Sequence, residues 1–346
     1  MQVYEIDPTT DERWNEFLAE HPLASIFHTR DWLLALRQTY NYKPIAFTTS
    51  PPGCRLTNGI PFCSISSWFG GHRLVSLPFS DHCNPLVENS DQLAFLLSHL
   101  REKLSGEKLS YIEIRPTDLS EIDGETFGKD EMFFFHKLDL RPNLDVIWKT
   151  FHKDCVQRKI QRAARENLVC EEGSSESLVA KFYHLLLTTR RRHGVPTQPA
   201  NWFRNLAACL GEKLKIQVVS KDGRPIASIV TLRYKRALVY KYGCSHQSFN
   251  NLGGTQLLFW NAIQKAKREH LSEFDMGRSD WENVGLAVFK DRWGASRTTL
   301  TYLRYPTQKA SDMSDTKQSR IGKYVCAHVP ISVLALAGRV LYKYMG

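Results

Sequence analysis

FDMGRSDWENVGLAVFKDRWGAS, residues 274–296, decides how this chain is read. It begins like a buried strand, breaks at Gly277, and then gives Arg278, Ser279, Asp280, Glu282 and Asn283 before turning helical. If residues 273–277 form a strand, Phe274 and Met276 share one face and Asp275 points to the other. The spacing then predicts a helix over 282–293, with Asp280 as N-cap and Asn283 at the third helical position. On that helix Leu286, Phe289 and Trp293 recur at intervals of three and four, an apolar face. Lys290 borders this face, four residues after Leu286, where its ammonium can reach back toward the strand end. A solvated lysine at a helix edge is the ordinary alternative. The density of polar neighbours favours a site in which Lys290, Asp275 and Glu282 form the catalytic group and Arg278, Ser279, Asn283 and Trp293 line the substrate.

Outward from this stretch the same order of elements occurs twice. The first half reads as a strand at 2–6, helices near 14–18 and 31–38, strands at 44–49, 59–65, 73–79, 109–115 and 133–140, and a helix over 92–104. Ser25 or Thr29 is positioned to cap the second helix. RPNLD, residues 141–145, punctuates the chain, and the pattern restarts with helices at 145–167, 177–193 and 202–210. Strands follow at 213–220, 224–234 and 237–245, with KDG (221–223) as a hairpin turn between the first two. A helix over 255–269 puts Leu258, Phe259, Ala262, Ile263 and Ala266 on one face, and a last strand runs over 298–306. Helices, an antiparallel meander, a helix and closing strands, given twice, indicate a duplicated α+β architecture. The expected division is 1–144, 145–306, and 307–346 as a polar linker followed by a basic amphipathic helix.

With 46 Lys and Arg against 36 Asp and Glu the chain carries a net charge of +10, which favours anionic partners such as nucleic acid, nucleotide phosphates or an anionic membrane face. The eight cysteines form no CxxC pair and no zinc-type spacing, so reduced thiols and no metal are expected. The first residues lack the basic and apolar regions of a signal peptide, and no run is long enough to span a bilayer. A cytoplasmic location is the expectation.

Three further segments carry polar chemistry. SFNNLGGTQLLFW sets Gly253, Gly254 and Thr255 before an amphipathic helix, where free backbone N–H groups favour an anion; a plain strand-to-helix turn explains it equally well. Arg158 and Arg162 lie on one basic helix, and Arg191, Arg192 and His193 end another, where positive charge also suits the helix dipole. LPFSDHCNPL (77–86) groups Asp81 and His82 between two prolines, as a turn or as a second site. No G-x-S-x-G, Walker A or dinucleotide fingerprint is present.

KDCVQRKIQRAARENL, TTRRRHGVPTQPANWF and the opening stretch together resemble the FemAB-like branch of the GNAT superfamily, related to the aminoacyltransferases that build peptidoglycan bridges. The resemblance covers roughly residues 1–306. It implies two tandem GNAT-like units, each a mixed, mainly antiparallel sheet flanked by helices, sharing a cleft. It also implies transfer of an activated acyl group, from acyl-CoA or aminoacyl-tRNA, to an amine or hydroxyl of a cell-envelope or sugar precursor. The lysine of the family's FK-x-x-(W/F)G segment falls on Lys290, with the implied role of stabilising charge on the transferred group. The arginines would then meet phosphates of donor or acceptor, including tRNA. The long helical hairpin of the tRNA-dependent enzymes is missing, which leaves acyl-CoA open as donor. The reading from a different class is a non-catalytic module binding nucleic acid or another anionic ligand. Contact of the C-terminal helix with the inner membrane surface is compatible with either.

Overall fold

The computed structural model describes residues 2–67, 71–106, 109–120, 122, 127–306 and 330–344. It divides into two compact units: one built from residues 2–133, 299–306 and 340–344, the other from 134–298 and 330–339. The linker expected from residue 307 to 320 lies outside the described residues.

The first unit opens with β1 (Tyr4–Ile6), α1 (Arg13–Glu20) and α2 (Arg30–Tyr40). Thr29 caps α2, accepting from the Trp32 N–H, while Ser25 caps the short 3₁₀ turn Ile26–His28 that precedes it. An antiparallel meander follows: β2 (Lys43–Thr48), β3 (Ile60–Ser67) and β4 (Gly71–Val75). Then α3 (Ser90–Gly106) crosses over to β5 (Leu109–Ile114), which runs parallel to β4. The strand expected at 73–79 ends at Val75, because Leu77 and Phe79 adopt the left-handed region (φ 54° and 62°) and turn the chain. Leu93, Leu96, Leu97 and Leu100 of α3 pack on Phe47, Phe62 and Ile112 of the sheet.

His28 is sealed beneath this turn, where its Nε2 lies 2.9 Å from the Asn84 carbonyl and its Nδ1 accepts from the Ser25 N–H. Burial pushes its pKa down from 6.5 to about 4. The unfolded chain therefore binds a proton that the folded chain refuses, so this stability is present above pH 6.5 and is lost as pH falls toward 4. The expected loss is on the order of 3 kcal/mol. His28→Gln, which keeps a donor and cannot titrate, should flatten the urea-denaturation midpoint across this window; a slope identical to the parent would contradict the assignment.

β6 (Gly128–Asp139) leads into the second unit, which repeats the order. α4 (Leu144–Thr150) and α5 (Arg158–Ala163) are separated by a π-helical turn, Lys153–Gln157. The single helix expected over 145–167 is therefore broken. The His152 N–H donates to the Arg292 carbonyl instead of continuing the helix, and its Nδ1 accepts from the N–H groups of Asp154 and Cys155. β7 (Val169–Gly173) is an edge strand beside β8 that the sequence reading missed, because none of its residues is buried and no apolar face marks it.

Next come α6 (Glu176–Arg192), α7 (Ala200–Leu210) and the meander β8 (Leu214–Lys221), β9 (Arg224–Tyr234) and β10 (Ala237–Ser245). Asp222 and Gly223 both have positive φ, which closes the β8–β9 hairpin with the twist its strands need. α8 (Gly254–Arg268) then crosses to β11 (Glu273–Asp280), parallel to β10. All five residues of the apolar face expected on α8 are buried, against Val219, Ile226 and Phe274. A β-α-β crossover after a three-stranded meander thus occurs in both units. α9 (Val284–Asp291), β12 (Ser296–Tyr305) and α10 (Ile331–Leu341) complete the chain, with β12 pairing antiparallel to β5. No helix among the described residues is long and apolar enough to cross a membrane.

Candidate active site

The parallel ladder between β10 and β11 stops at Val239↔Asp275. A register shift between Tyr240 and Tyr242 turns β10 aside, and from there it pairs only with β9 as far as Ser245. β11 does not stop at Gly277 as expected but continues to Asp280. Beyond Asp275, where β10 no longer flanks β11, two side chains meet its backbone groups, while β6 is its neighbour on the other edge. The Asp275 carboxylate accepts from the Gly277 N–H at 2.7 Å, which fixes the positive φ (70°) that Gly277 takes there. Lys290 supplies the matching donor: its Nζ gives hydrogen bonds to the carbonyls of Gly277 at 2.9 Å and Arg278 at 2.8 Å. The lysine is only 1% exposed. The ammonium is thus an internal brace of the strand end, where the sequence alone suggested a charge at an open mouth. Ser279, next along the strand, is equally buried, and its Oγ has no hydrogen-bond partner.

α9 begins later than expected. Asn283, not Asp280, is its N-cap and accepts from the Leu286 N–H at 3.2 Å. Asp280, Glu282 and Asn283 are exposed in the turn between strand and helix. Trp293 is not at a surface: it is fully buried, stacked on Phe259 (5.1 Å) and edge-on to Phe151 (4.9 Å).

The structure adds His136 of β6, which the sequence reading passed over. Its side chain is inaccessible to solvent, and Nε2 lies 3.1 Å from Asp291 Oδ1, one residue after Lys290. Burial lowers the His136 pKa, the nearby Lys290 charge lowers it further, and Asp291 opposes both. Burial alone would raise the Asp291 carboxyl, but hydrogen bonds from Arg297 and His136 outweigh it and hold it low. A neutral imidazole with its proton on Nε2 and an ionised Asp291 follow. In the sequence His136 stands out only as a polar residue within FFFHKLDL; its partner is 155 positions away.

The remaining candidates lie elsewhere in the fold. Arg158 and Arg162 form exposed ion pairs with Asp154 (2.6 Å) and Glu166 (3.0 Å). Arg191, Arg192 and His193 end α6; burial, then Arg192 and Arg190, lower the His193 pKa. Asp81 and His82 are buried in the first unit, where the Tyr302 hydroxyl donates to the Asp81 carbonyl at 2.8 Å. Gly253 is the left-handed N-cap of α8 and makes no side-chain cap, so the helix's first N–H groups are offered to no side chain there. Gly254 packs on Val219, and Thr255 is half-buried. Among the described residues no group of three or more His, Cys, Asp or Glu side chains is arranged to hold a metal.

Residues 153–291 match the family described as acetyltransferase (GNAT) domain. Over 135 residues the chain is 25% identical to the UDP-N-acetylmuramoylpentapeptide-lysine N(6)-alanyltransferase of Weissella viridescens, a match that spans 38% of this chain and 40% of that protein. The fold is similar to the crystal structure of FemX, with a TM-score of 0.70 and 14% identity, covering 88% of this chain and 97% of the other. It is also similar to a tandem GNAT protein from the clavulanic acid biosynthesis pathway, with a TM-score of 0.52 and 10% identity, covering 89% and 99%. The fold is thus similar to that of tandem GNAT proteins, and the segment that matches the GNAT domain encloses Lys290.

Proposed function

We propose that the protein transfers an activated acyl or aminoacyl group to an amine or hydroxyl of a cell-envelope or polysaccharide precursor. The observation that carries this reading is the end of the β10–β11 ladder, inside the GNAT-matched segment, braced by a buried lysine. Past Val239 β10 no longer pairs with β11, and an extended, amide-bearing donor can add as a strand where the two diverge. The uncapped N-terminus of α8 is the fitting place for the donor's phosphates. Both features suit acyl-CoA; aminoacyl-tRNA is the other donor of the reading.

Attack is direct, without a covalent enzyme intermediate. Burial pushes the Cys83 thiol up to about 12 and raises those of Cys63 and Cys244, so none of the three is a ready nucleophile. Lys290 and Asp275 keep the strand end in one geometry, with the lysine's charge beside the reacting carbonyl and the unpaired Ser279 hydroxyl available to the substrate. Glu282, Arg278 and Asn283 border the same strand end, and Arg191 and Arg192 are the cations for an anionic acceptor, with a neutral His193 beside them.

Calorimetric titration with coenzyme A at low and at moderate salt tests the donor. Saturable binding that survives salt is expected for acyl-CoA. Absence of binding, together with transfer from a charged tRNA, would move the donor to aminoacyl-tRNA. Neither donor binding, with affinity for RNA that falls steeply as salt rises, would replace the reading with that of an anionic-ligand module.

A further inference from the structure

Among the described residues, five of the eleven exposed large apolar side chains fall between residues 333 and 344: Val333, Leu336, Val340, Leu341 and Tyr344. Isolated exposed apolar residues need no explanation, whereas a cluster in one short helix does. α10 is held from behind. Leu334 is fully buried, and a Cβ at Gly338 would overlap the Thr197 carbonyl oxygen, so backbone lies against backbone there. After the helix, the Tyr42 hydroxyl donates to the Tyr342 carbonyl and Arg73 to that of Tyr344.

Among the described residues, the face beside this one is unpartnered. At 3.6 residues per turn Val333, Leu336, Val340 and Leu341 fall within an arc of about 140°. Leu336 is 61% and Val340 55% exposed. Arg339 and Lys343 border one edge of that arc, and residues 330–344 contain no Asp or Glu. An apolar stripe flanked by cations, in a helix too short to cross a membrane, has the pattern of an element that lies in a lipid interface.

We propose that this face of α10 docks on an anionic lipid bilayer, with Leu336 and Val340 entering the headgroup–acyl boundary and Arg339 and Lys343 pairing with lipid phosphates. The chain's charge of +10 acts in the same direction. The inference does not depend on the acyl-transfer reading, because it is tested by binding alone.

The test is flotation of the full chain with vesicles of phosphatidylcholine, with and without phosphatidylglycerol, at two salt concentrations. Binding to the anionic vesicles, weakened by salt and by omission of phosphatidylglycerol, is expected. Leu336→Glu, at an exposed position that leaves the fold intact by circular dichroism, should weaken partitioning by about ten- to a hundredfold. Arg339→Gln with Lys343→Gln should lower binding to anionic vesicles by about twentyfold and leave the residual affinity for phosphatidylcholine unchanged. No binding by the parent, or equal binding by Leu336→Glu, overturns the proposal. A concentration-dependent dimer abolished by Leu336→Glu, with no vesicle binding, overturns it in favour of a second copy as occupant.

Discussion

Lys290→Met is expected to lower turnover by on the order of 10²-fold and to reduce the unfolding free energy by about 2–4 kcal/mol. The two effects have different origins. Methionine keeps much of the side-chain volume, so the site does not become a cavity. What is lost is the ammonium that donates to the carbonyls of Gly277 and Arg278. Each acceptor left without a donor in a buried setting costs about 1–3 kcal/mol. The strand end then loses the constraint that holds Asp275, Gly277 and Ser279 in register. Loss of turnover follows from that displacement and from the missing positive charge.

Urea denaturation and single-turnover acyl transfer, measured on the same variant, separate the contributions. Lys290→Arg keeps the charge but brings a planar fork to a place shaped for a point donor. It should recover more of the rate than of the stability. A Lys290→Met protein that is destabilised but turns over normally would reduce Lys290 to a structural brace and dismiss the catalytic assignment.

The fold was legible in the sequence wherever a period could be counted. The face of α8, the Asp222–Gly223 turn and the repetition of meander, helix and strand depend on local spacing, and the structure has each of them. The helix break at His152 was not legible, because its cause is a carbonyl at Arg292, distant in sequence. β7 was hidden for a related reason: as an edge strand it carries Glu171 and Glu172, whose partners Lys181 and Lys265 belong to other elements. The candidate site shows the same limit. A lysine beside an apolar face is visible as a pattern, but whether it is solvated or buried is decided by the path of β11 past Gly277. The pairing of His136 with Asp291 could not be read at all, since nothing local to either residue announces it.

Gly253→Ala is expected to cost about 2–5 kcal/mol of stability. Gly253 sits at φ 77° as the N-cap of α8, and a Cβ there would overlap the carbonyl oxygen of Lys159 in α5. Two penalties add. The left-handed conformation alone costs a side-chain-bearing residue about 1–2 kcal/mol. The overlap is with backbone, which cannot rotate away, so α5 and the start of α8 must separate. Gly223 supplies the control: it has nearly the same φ, 76°, with no atom within 4 Å of its added Cβ. Gly223→Ala should therefore show the conformational cost and nothing more. The difference between the two variants in urea denaturation isolates the close approach of the two helices. Equal losses would mean that α5 yields freely, and that the glycine at 253 serves some purpose other than packing. If the α8 N-terminus also receives the donor's phosphates, Gly253→Ala should weaken coenzyme A binding at a temperature where the variant is still folded, while Gly223→Ala leaves it unchanged.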